Sequence, residues 1–429
     1  MKALFLLDTE SKLFTKREKV LYWLLFTFFI IIFIPRAPVL SNSLLGILVL
    51  FSFSFNSVKE KVALLKNRTF VMLLIAYYLL HVISTLFSVN KDEAIAQLLI
   101  RLPLLLFPIA LGTIVISNEL RDRIILCIAS IISIVAIVSL GLSFSQYAES
   151  GNSGFMYNDS LTVHFGQQSI YVAMLVNLSI VGFIYLLAKK SSLITIPGLI
   201  YLAIVILFGY HFLLASRSAM ILLYGGLFFY AVYYIIRKRK YLEGFTLLLG
   251  MFIGAFILFK FFPKTIQRFK ELTITNYQFG NTGAESHYDM KLSEEQWNGA
   301  NTRLALWNCG WELAQKNLLT GTGIGDRVDQ LQAVYREKNF TMAIQTNKNV
   351  HNSYLDALLT FGIGGLFLFL LGFVLLPLLH VLKRQNMFDL FVVTAFIVSM
   401  IFEVYLGRSF GCMITSFFFS FIAATKRNT

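Results

Sequence analysis

Charged residues are scarce in this sequence. Only 14% of its 429 residues are charged, whereas 57% are hydrophobic and 15% are aromatic. A soluble domain of this length needs more polar side chains to cover its surface. Apolar runs of about 20 residues, each long enough to cross a bilayer, recur along the chain. The composition therefore excludes a soluble globular protein and predicts an all-α polytopic membrane protein.

Cysteine is also rare, because the chain has only Cys127, Cys309 and Cys412. They lie far apart, with no CxxC pair and no Cys/His cluster, which argues against a disulfide framework or a zinc site.

The first apolar run starts near Val20 and is not followed by a small-residue cleavage site, so we expect it to be retained. The loop sequence "GTGIG" (321–325) has no preceding strand and no following Lys-Ser/Thr, which excludes a P-loop. We expect neither a metal nor a cofactor.

The hydropathy pattern predicts about twelve transmembrane helices. We place them at 20–35, 37–55, 69–88, 98–117, 123–146, 166–188, 193–215, 217–236, 241–262, 352–382, 387–405 and 407–424. The chain then divides into an N-terminal bundle of helices 1–9 (1–262), one large loop domain (263–351), and helices 10–12 (352–429).

Lysine and arginine are distributed unevenly between the connecting segments. Most lie in the amino-terminal tail, in alternate loops such as "RKRK" (237–240), and near the carboxyl end, whereas the opposite loops offer few. By the positive-inside rule, both termini are cytoplasmic and the loop 263–351 is on the outer side, which is the periplasm of a Gram-negative cell. The net charge of +14 is therefore a topology signal and not a sign of nucleic-acid binding.

The loop 263–351 has the composition of a soluble domain. The sequence "RLALWNCGWELAQKN" (303–317) has apolar residues at helical spacing, and "DRVDQLQAVYREK" (326–338) predicts a second helix. Glycines in "LTGTGIGD" separate the two. The stretch "TITNYQFGNTGAESHYDM" (273–290) shows no period and is predicted to be irregular.

Four arginines fall at the predicted outer ends of spans, where positive charge gains nothing from topology. A shared anionic ligand would explain them, because the planar guanidinium group suits phosphate oxygens. For any single arginine, snorkelling to lipid headgroups or pairing with Glu403 or Asp356 is the favoured explanation, whereas the four arginines together favour the anionic ligand. They are Arg36, Arg101, Arg217 and Arg408.

Arg217 and His351 have the most specific settings. Arg217 lies between two serines at the start of the predicted eighth span, where helix N–H groups add to its charge. His351 precedes Asn352, a good N-cap residue for the tenth span. A helix N-terminus disfavours imidazolium, so a neutral ring able to accept a proton is expected there. A histidine that only hydrates the helix end is the alternative.

The segment that begins with His351 and Asn352 resembles the signature of the O-antigen ligase family, which groups with O-antigen polymerases and bacterial O-oligosaccharyltransferases. Nine residues follow Asn352, and then Gly362, Ile363, Gly364 and Gly365. Arg217 corresponds to the family's arginine at the outer end of the eighth span, and Arg303 in "NTRLALW" to its loop arginine. Some members continue with two threonines, where this chain has Leu366 and Phe367.

The resemblance implies a glycosyltransferase of GT-C-like architecture in a bacterial inner membrane. It would transfer a glycan from undecaprenyl pyrophosphate to a hydroxyl of lipid A-core or another glycan, with inversion and without a metal. Arg217 and Arg303 would hold the pyrophosphate, and His351 would act as the general base. Further contacts to the pyrophosphate are assigned to Arg36, Arg101, Arg408 and Asn352.

Other functions remain compatible with the sequence. A polymerase would extend one lipid-linked chain with another, and a protein O-oligosaccharyltransferase would modify serine or threonine. Both use the same donor and the same kind of base. A transporter is the alternative of another class, but twelve-span transporters commonly show two related halves, and none is evident in this sequence.

Overall fold

The computed structural model of the protein describes residues 14–35, 38–281 and 296–426, and all regular secondary structure in these ranges is helical. The first ten α-helices are α1 Lys16–Ile31, α2 Pro38–Ser52, α3 Val58–Asn67, α4 Thr69–Phe87, α5 Lys91–Ile100, α6 Pro103–Ala110, α7 Asn118–Ser150, α8 Asn158–Thr162, α9 Ser169–Ala188 and α10 Pro197–Leu214. The others are α11 Arg217–Ile236, α12 Tyr241–Phe261, α13 Pro263–Lys270, α14 Asn301–Lys316, α15 Arg327–Glu337, α16 Thr341–Gln345, α17 Ser353–Phe369, α18 Leu376–Arg384, α19 Met387–Phe402 and α20 Ser409–Ala424. A π-helical turn, Leu370–Leu375, joins α17 to α18.

Within the described ranges, 8 helical segments are long and apolar enough to cross a membrane. They are Thr69–Phe87, Lys91–Ala110, Asn118–Ser150, Ser169–Ala188, Pro197–Leu214, Arg217–Ile236, Tyr241–Phe261 and Ser353–Arg384. Shorter apolar helices cover Val39–Ser52, Met387–Phe402 and Ser409–Ala424, below the roughly 20 residues that a perpendicular span needs. An all-helical polytopic membrane protein is thus confirmed, and the number twelve stays a prediction.

The predicted fourth span, 98–117, is wrong in its boundaries. The helix α5 ends at Ile100, a turn follows at Arg101, and α6 begins at Pro103 and ends at Ala110. Proline lacks the N–H group that would continue α5, and its ring crowds the preceding turn, so the helix breaks there. Arg101 consequently lies in the middle of the apolar segment Lys91–Ala110 and not at an outer end.

A large apolar core joins the bundle helices. Aromatic side chains dominate it: the ring of Phe107 on α6 lies 5.3 Å from that of Phe28 on α1 and 5.6 Å from that of Phe417 on α20. Both contacts are edge-to-face, the arrangement that the aromatic quadrupole favours. Near the start of α7, the Arg121 guanidinium lies 2.8 Å from the Asp389 carboxylate and ties α7 to α19.

The long loop forms a second core on α17. Its helices α14 and α15 lie where the amphipathic patterns predict them. Trp297, Leu306 and Tyr335 are fully buried in this core, together with Leu359 of α17. The apolar face of the loop therefore packs against the first turns of α17, which fixes the end of the loop beside the start of that helix.

A loop strap, residues 318–323, enters a break in α17. Gly362 has φ 65° and ψ −163°, a conformation essentially restricted to glycine. The strap takes over the hydrogen bonds that the break exposes: the Thr322 N–H donates to the Leu359 carbonyl at 2.7 Å, and the Ile363 N–H donates to the Leu318 carbonyl at 2.8 Å. Gly362 of the signature thus allows the loop strap to form hydrogen bonds with the backbone of α17.

We expect Gly362→Ala to destabilise the protein. The new Cβ would lie 2.3 Å from the Leu319 carbonyl oxygen, and the backbone strain alone costs about 1–3 kcal/mol. Thermal unfolding in detergent should show a clearly lower midpoint. Gly364→Ala is the matched control, because a Cβ there meets nothing within 4 Å. Equal midpoints for the two variants would contradict the role of the break.

The three cysteines are free and buried. Cys309 lies on α14 in the second core, and burial raises the pKa of its thiol to about 12. Cys127 and Cys412 lie on α7 and α20 in the membrane bundle, with 3% and 0% of their surface exposed. None of the three thiols is therefore readily accessible from solvent.

Candidate functional site

A cavity of about 400 Å³, here called the arginine cavity, brings Arg217, Arg303 and His351 together. It lies where the starts of α9 and α11 meet the ends of α13 and α19 and the loop that precedes α17. Its charged lining residues comprise four cations and three carboxylates, so a bound dianion would meet a surplus of positive charge. They are Arg217, Arg268, Arg303, Lys348, Asp159, Glu271 and Glu403.

Arg217 is held along one edge by α13 and the turn that follows it. The left-handed turn at Ala215 (φ 50°) ends α10 and allows α11 to begin with Arg217, whose side chain is 8% exposed. Its Nη1 donates to the Arg268 carbonyl at 2.7 Å and lies 3.3 Å from the Glu271 carboxylate. Because these partners lie in the loop, they aim the guanidinium group into the cavity.

Arg303 projects from the first turn of α14 toward the same place. Its Nη1 donates to the Gly299 carbonyl at 2.7 Å, and its Nε donates to the Phe402 carbonyl at 3.2 Å. A Cβ added at Gly299 would lie 2.2 Å from Nη2 of Arg217 and 3.3 Å from Nη1 of Arg303. The two guanidinium groups therefore flank one glycine. The Glu271 carboxylate, 3.3 Å from Arg217, offsets part of the repulsion between these two like charges, and a bound anion would offset it further.

His351 is oriented by its backbone and by a carboxylate. Its φ of 45° is in the left-handed region, and its N–H donates to the Asn349 side chain at 2.8 Å. The ring Nδ1 lies 2.8 Å from the Glu403 carboxylate. A carboxylate beside Nδ1 favours the tautomer with the proton on that nitrogen, which leaves the lone pair of Nε2 available to accept a proton.

Glu403 is the residue that sequence reasoning missed as the partner of His351. It directly follows α19 and is 52 residues away in the chain. Burial raises the pKa of its carboxyl group, but His351, Arg303 and the Val404 N–H together outweigh burial and hold that pKa below its ordinary value. The group is therefore a carboxylate at neutral pH. The only signal in the sequence was an acidic residue at the end of an apolar span.

We expect the stability lost in Glu403→Gln to depend on pH. A carboxyl group with a lowered pKa in the folded state stabilises the fold above its ordinary pKa of about 4.3. That contribution disappears as the pH falls through the folded-state pKa. The difference in unfolding midpoint between wild type and variant should therefore be largest near neutrality and shrink in acid. Glu337→Gln, on an exposed turn of α15, should change little at either pH, and a pH-independent difference at position 403 would contradict the ion pair.

Asn352 and Arg101 lie outside the lining of the arginine cavity. The Asn352 side chain caps α17, accepting from the Tyr354 and Leu355 N–H groups at 2.9 and 3.0 Å. Arg101 is 1% exposed and lies 4.0 Å from Asp356, which also accepts from Arg327 at 2.6 Å. The pairing with Asp356, one of the alternatives weighed for these arginines, is the one that Arg101 adopts.

Neither of the other two predicted arginines, Arg408 and Arg36, is observed in the arginine cavity. Arg408 is exposed and lines a different cavity, beside α1 and α20. Arg36 lies outside the described residues. The structure therefore brings together three of the seven predicted site residues, and these are the three to which the resemblance assigns the central roles.

Residues 202–370 match the model of a family described as O-antigen ligase. The matched segment contains Arg217, Arg303, His351 and the glycine-rich break in α17, and it contains neither Arg101 nor Arg408. No curated protein matches the chain.

Proposed function

We propose that the chain, whose residues 202–370 match the model of a family described as O-antigen ligase, is a glycosyltransferase of that family and specifically an O-antigen ligase. It would transfer a glycan from undecaprenyl pyrophosphate to a sugar hydroxyl of lipid A-core. The observation that carries this proposal is the arginine cavity, in which two adjacent guanidinium groups and a carboxylate-paired imidazole share one space.

The proposed reaction is a single displacement at the anomeric carbon. The acceptor hydroxyl attacks this carbon while His351 takes its proton at Nε2. The new carbon–oxygen bond forms as the bond to the pyrophosphate oxygen breaks, and the electron pair leaves with undecaprenyl pyrophosphate. Attack opposite the leaving group inverts the anomeric configuration. A positioned base of this kind contributes about 10²–10⁴-fold to the rate.

The two arginines would stabilise the leaving group. Negative charge develops on the departing pyrophosphate oxygen, and preformed donors near that charge lower the barrier. Arg217 and Arg303 are already oriented by backbone carbonyls of Arg268, Gly299 and Phe402, so they need little rearrangement when the donor binds. No nucleotide has to supply energy, because the donor already carries its leaving group.

Glu403 would act as a positioning residue. Its carboxylate holds Nδ1 of His351 and would stabilise the imidazolium that forms when the base accepts its proton. After transfer, that proton has to leave through the cavity before the next cycle.

The proposed location follows from the charge distribution of the loops. The enzyme would span the bacterial inner membrane in a GT-C-like architecture with about twelve spans and both termini in the cytoplasm. The arginine cavity would face the periplasm, where membrane lipids and both lipid-borne substrates reach it.

In vitro transfer with the purified protein tests this function. Lipid-linked glycan and lipid A-core should together give glycosylated lipid A-core. Elongation of one lipid-linked glycan by another, with no use of lipid A-core, would instead identify a polymerase with the same donor. Transfer to peptide serine or threonine would identify a protein O-oligosaccharyltransferase. Uptake of solute into vesicles without any glycan transfer would refute the glycosyltransferase.

A further inference from the structure

A second cavity, of about 270 Å³, lies between the end of α1 and the start of α20. We call it the Arg408 cavity. Within the described part of the chain, the Arg408 guanidinium makes no hydrogen bond or ion pair. Tyr171, 1% exposed, also lines this cavity, and its hydroxyl has no hydrogen-bond partner among the described residues. A buried donor without a partner is costly, and together with the exposed Arg408 guanidinium it makes this cavity a candidate site for a polar ligand.

The two cavities are neighbours. Gln168, immediately before α9, lines both of them. The ring of Tyr171, one turn further along, lies 5.1 Å from that of Tyr405, which lies in the chain between Glu403 of the arginine cavity and Arg408 of the second. A molecule in the Arg408 cavity would therefore extend past Gln168 toward the His351–Glu403 pair.

The lining of the Arg408 cavity is amphipathic. Arg408, Gln167 and Gln168 supply a cation and two amides, whereas Ile31, Ile34 and Met413 supply apolar surface. Guanidinium suits a phosphate, amides suit sugar hydroxyls, and the aliphatic side chains suit an acyl or isoprenoid chain. Together these features fit a membrane-anchored glycolipid with a phosphate close to its sugars.

We propose that the Arg408 cavity is the acceptor site of the transfer reaction. This inference rests on the proposed function, because it presupposes that the donor pyrophosphate occupies the arginine cavity. There the exposed side chains of Ile221 and Leu272 offer a separate apolar exit for the prenyl chain of the donor. Inversion requires the nucleophile to approach from the side opposite the leaving group. The two cavities share Gln168, so an acceptor in one and a donor in the other would approach the anomeric carbon from different sides.

The test is a kinetic comparison of Arg408→Gln with the wild-type enzyme. The acceptors are lipid A-core and, in a second arm, additional lipid-linked glycan. We expect the KM for the acceptor that the enzyme uses to rise about tenfold, which corresponds to the loss of one charge-assisted contact. The KM for the donor, measured at saturating acceptor, should stay unchanged. The arm in which the KM rises identifies the source of the glycolipid.

A second variant tests the cavity without changing charge. Ser409→Trp would fill the Arg408 cavity from the first turn of α20 and should likewise raise the acceptor KM. Leu40→Trp is the matched control, because Leu40 lies on α2, is 53% exposed and does not line this cavity.

The outcomes separate the two proposals. If the wild-type protein transfers no glycan, the proposed function fails. If it transfers glycan, but Arg408→Gln and Ser409→Trp leave the acceptor KM unchanged, this inference is overturned and the cavity holds at most an ordinary phospholipid. A rise in the donor KM alone would also overturn it, because the cavity would then belong to the donor.

Discussion

Replacing His351 by Asn should lower glycan transfer by about 10²–10⁴-fold while leaving the protein folded. Asparagine is the informative substitution because the φ of His351 is 45°, a left-handed conformation that asparagine adopts more readily than alanine. An asparagine amide can also donate to the Glu403 carboxylate. The variant therefore removes the proton acceptor and retains the local geometry.

This prediction is measured as transferred glycan per amount of purified enzyme. His380→Asn makes the same chemical change on α18, away from both cavities, and should retain wild-type activity. An unchanged unfolding midpoint for His351→Asn would show that the loss is chemical. Transfer above half of the wild-type rate would refute the assignment of His351 as the base.

The second large effect is expected at the paired arginines. Arg217→Lys and Arg303→Lys should each lower kcat/KM for the donor by about 10²–10³-fold. Lysine keeps the charge but loses the planar fork that binds phosphate oxygens. In Arg217→Lys it also preserves an ion pair with Glu271, now 3.3 Å from the guanidinium, so the fold should survive.

Combining Arg217→Lys with Arg303→Lys tests whether the two arginines bind the same pyrophosphate or different parts of the substrates. Because both guanidinium groups flank Gly299, we expect them to act on the same pyrophosphate, and the double variant should then lose much less than the product of the single losses. Arg336→Lys, an exposed position on α15, is the control and should be neutral. Losses that multiply would place the two arginines on different parts of the substrates.

Hydropathy and spacing predicted the helical membrane fold and two of the loop helices, because both depend on local patterns. The pairings of Arg101 could not be read from the same patterns. Its actual surroundings depend on a proline break after α5 and on Arg327, which reaches Asp356 from the loop. Hydropathy registers a charge in an apolar segment but does not say which distant side chain neutralises it.

In the candidate site, too, local patterns were predictable from the sequence, whereas contacts between distant segments were not. The spacing from His351 to Gly362 was visible in the sequence, but glycines in a membrane helix serve either close packing or a kink, and spacing does not distinguish the two. The positive φ at Gly362 settles that point, and its cause is the loop strap, a contact between distant segments. The His351–Glu403 pair likewise requires α17 and α19 to pack side by side, because the two residues are 52 positions apart.

Because Cys127, Cys309 and Cys412 are buried, the native chain should react little with thiol-labelling reagents. Single cysteines at exposed positions can therefore report the sidedness of each connection without first removing the natural ones. In intact spheroplasts, a membrane-impermeant maleimide should modify Lys316→Cys at once and Lys238→Cys only after permeabilisation. The reverse order would show that the protein has the opposite orientation in the bilayer.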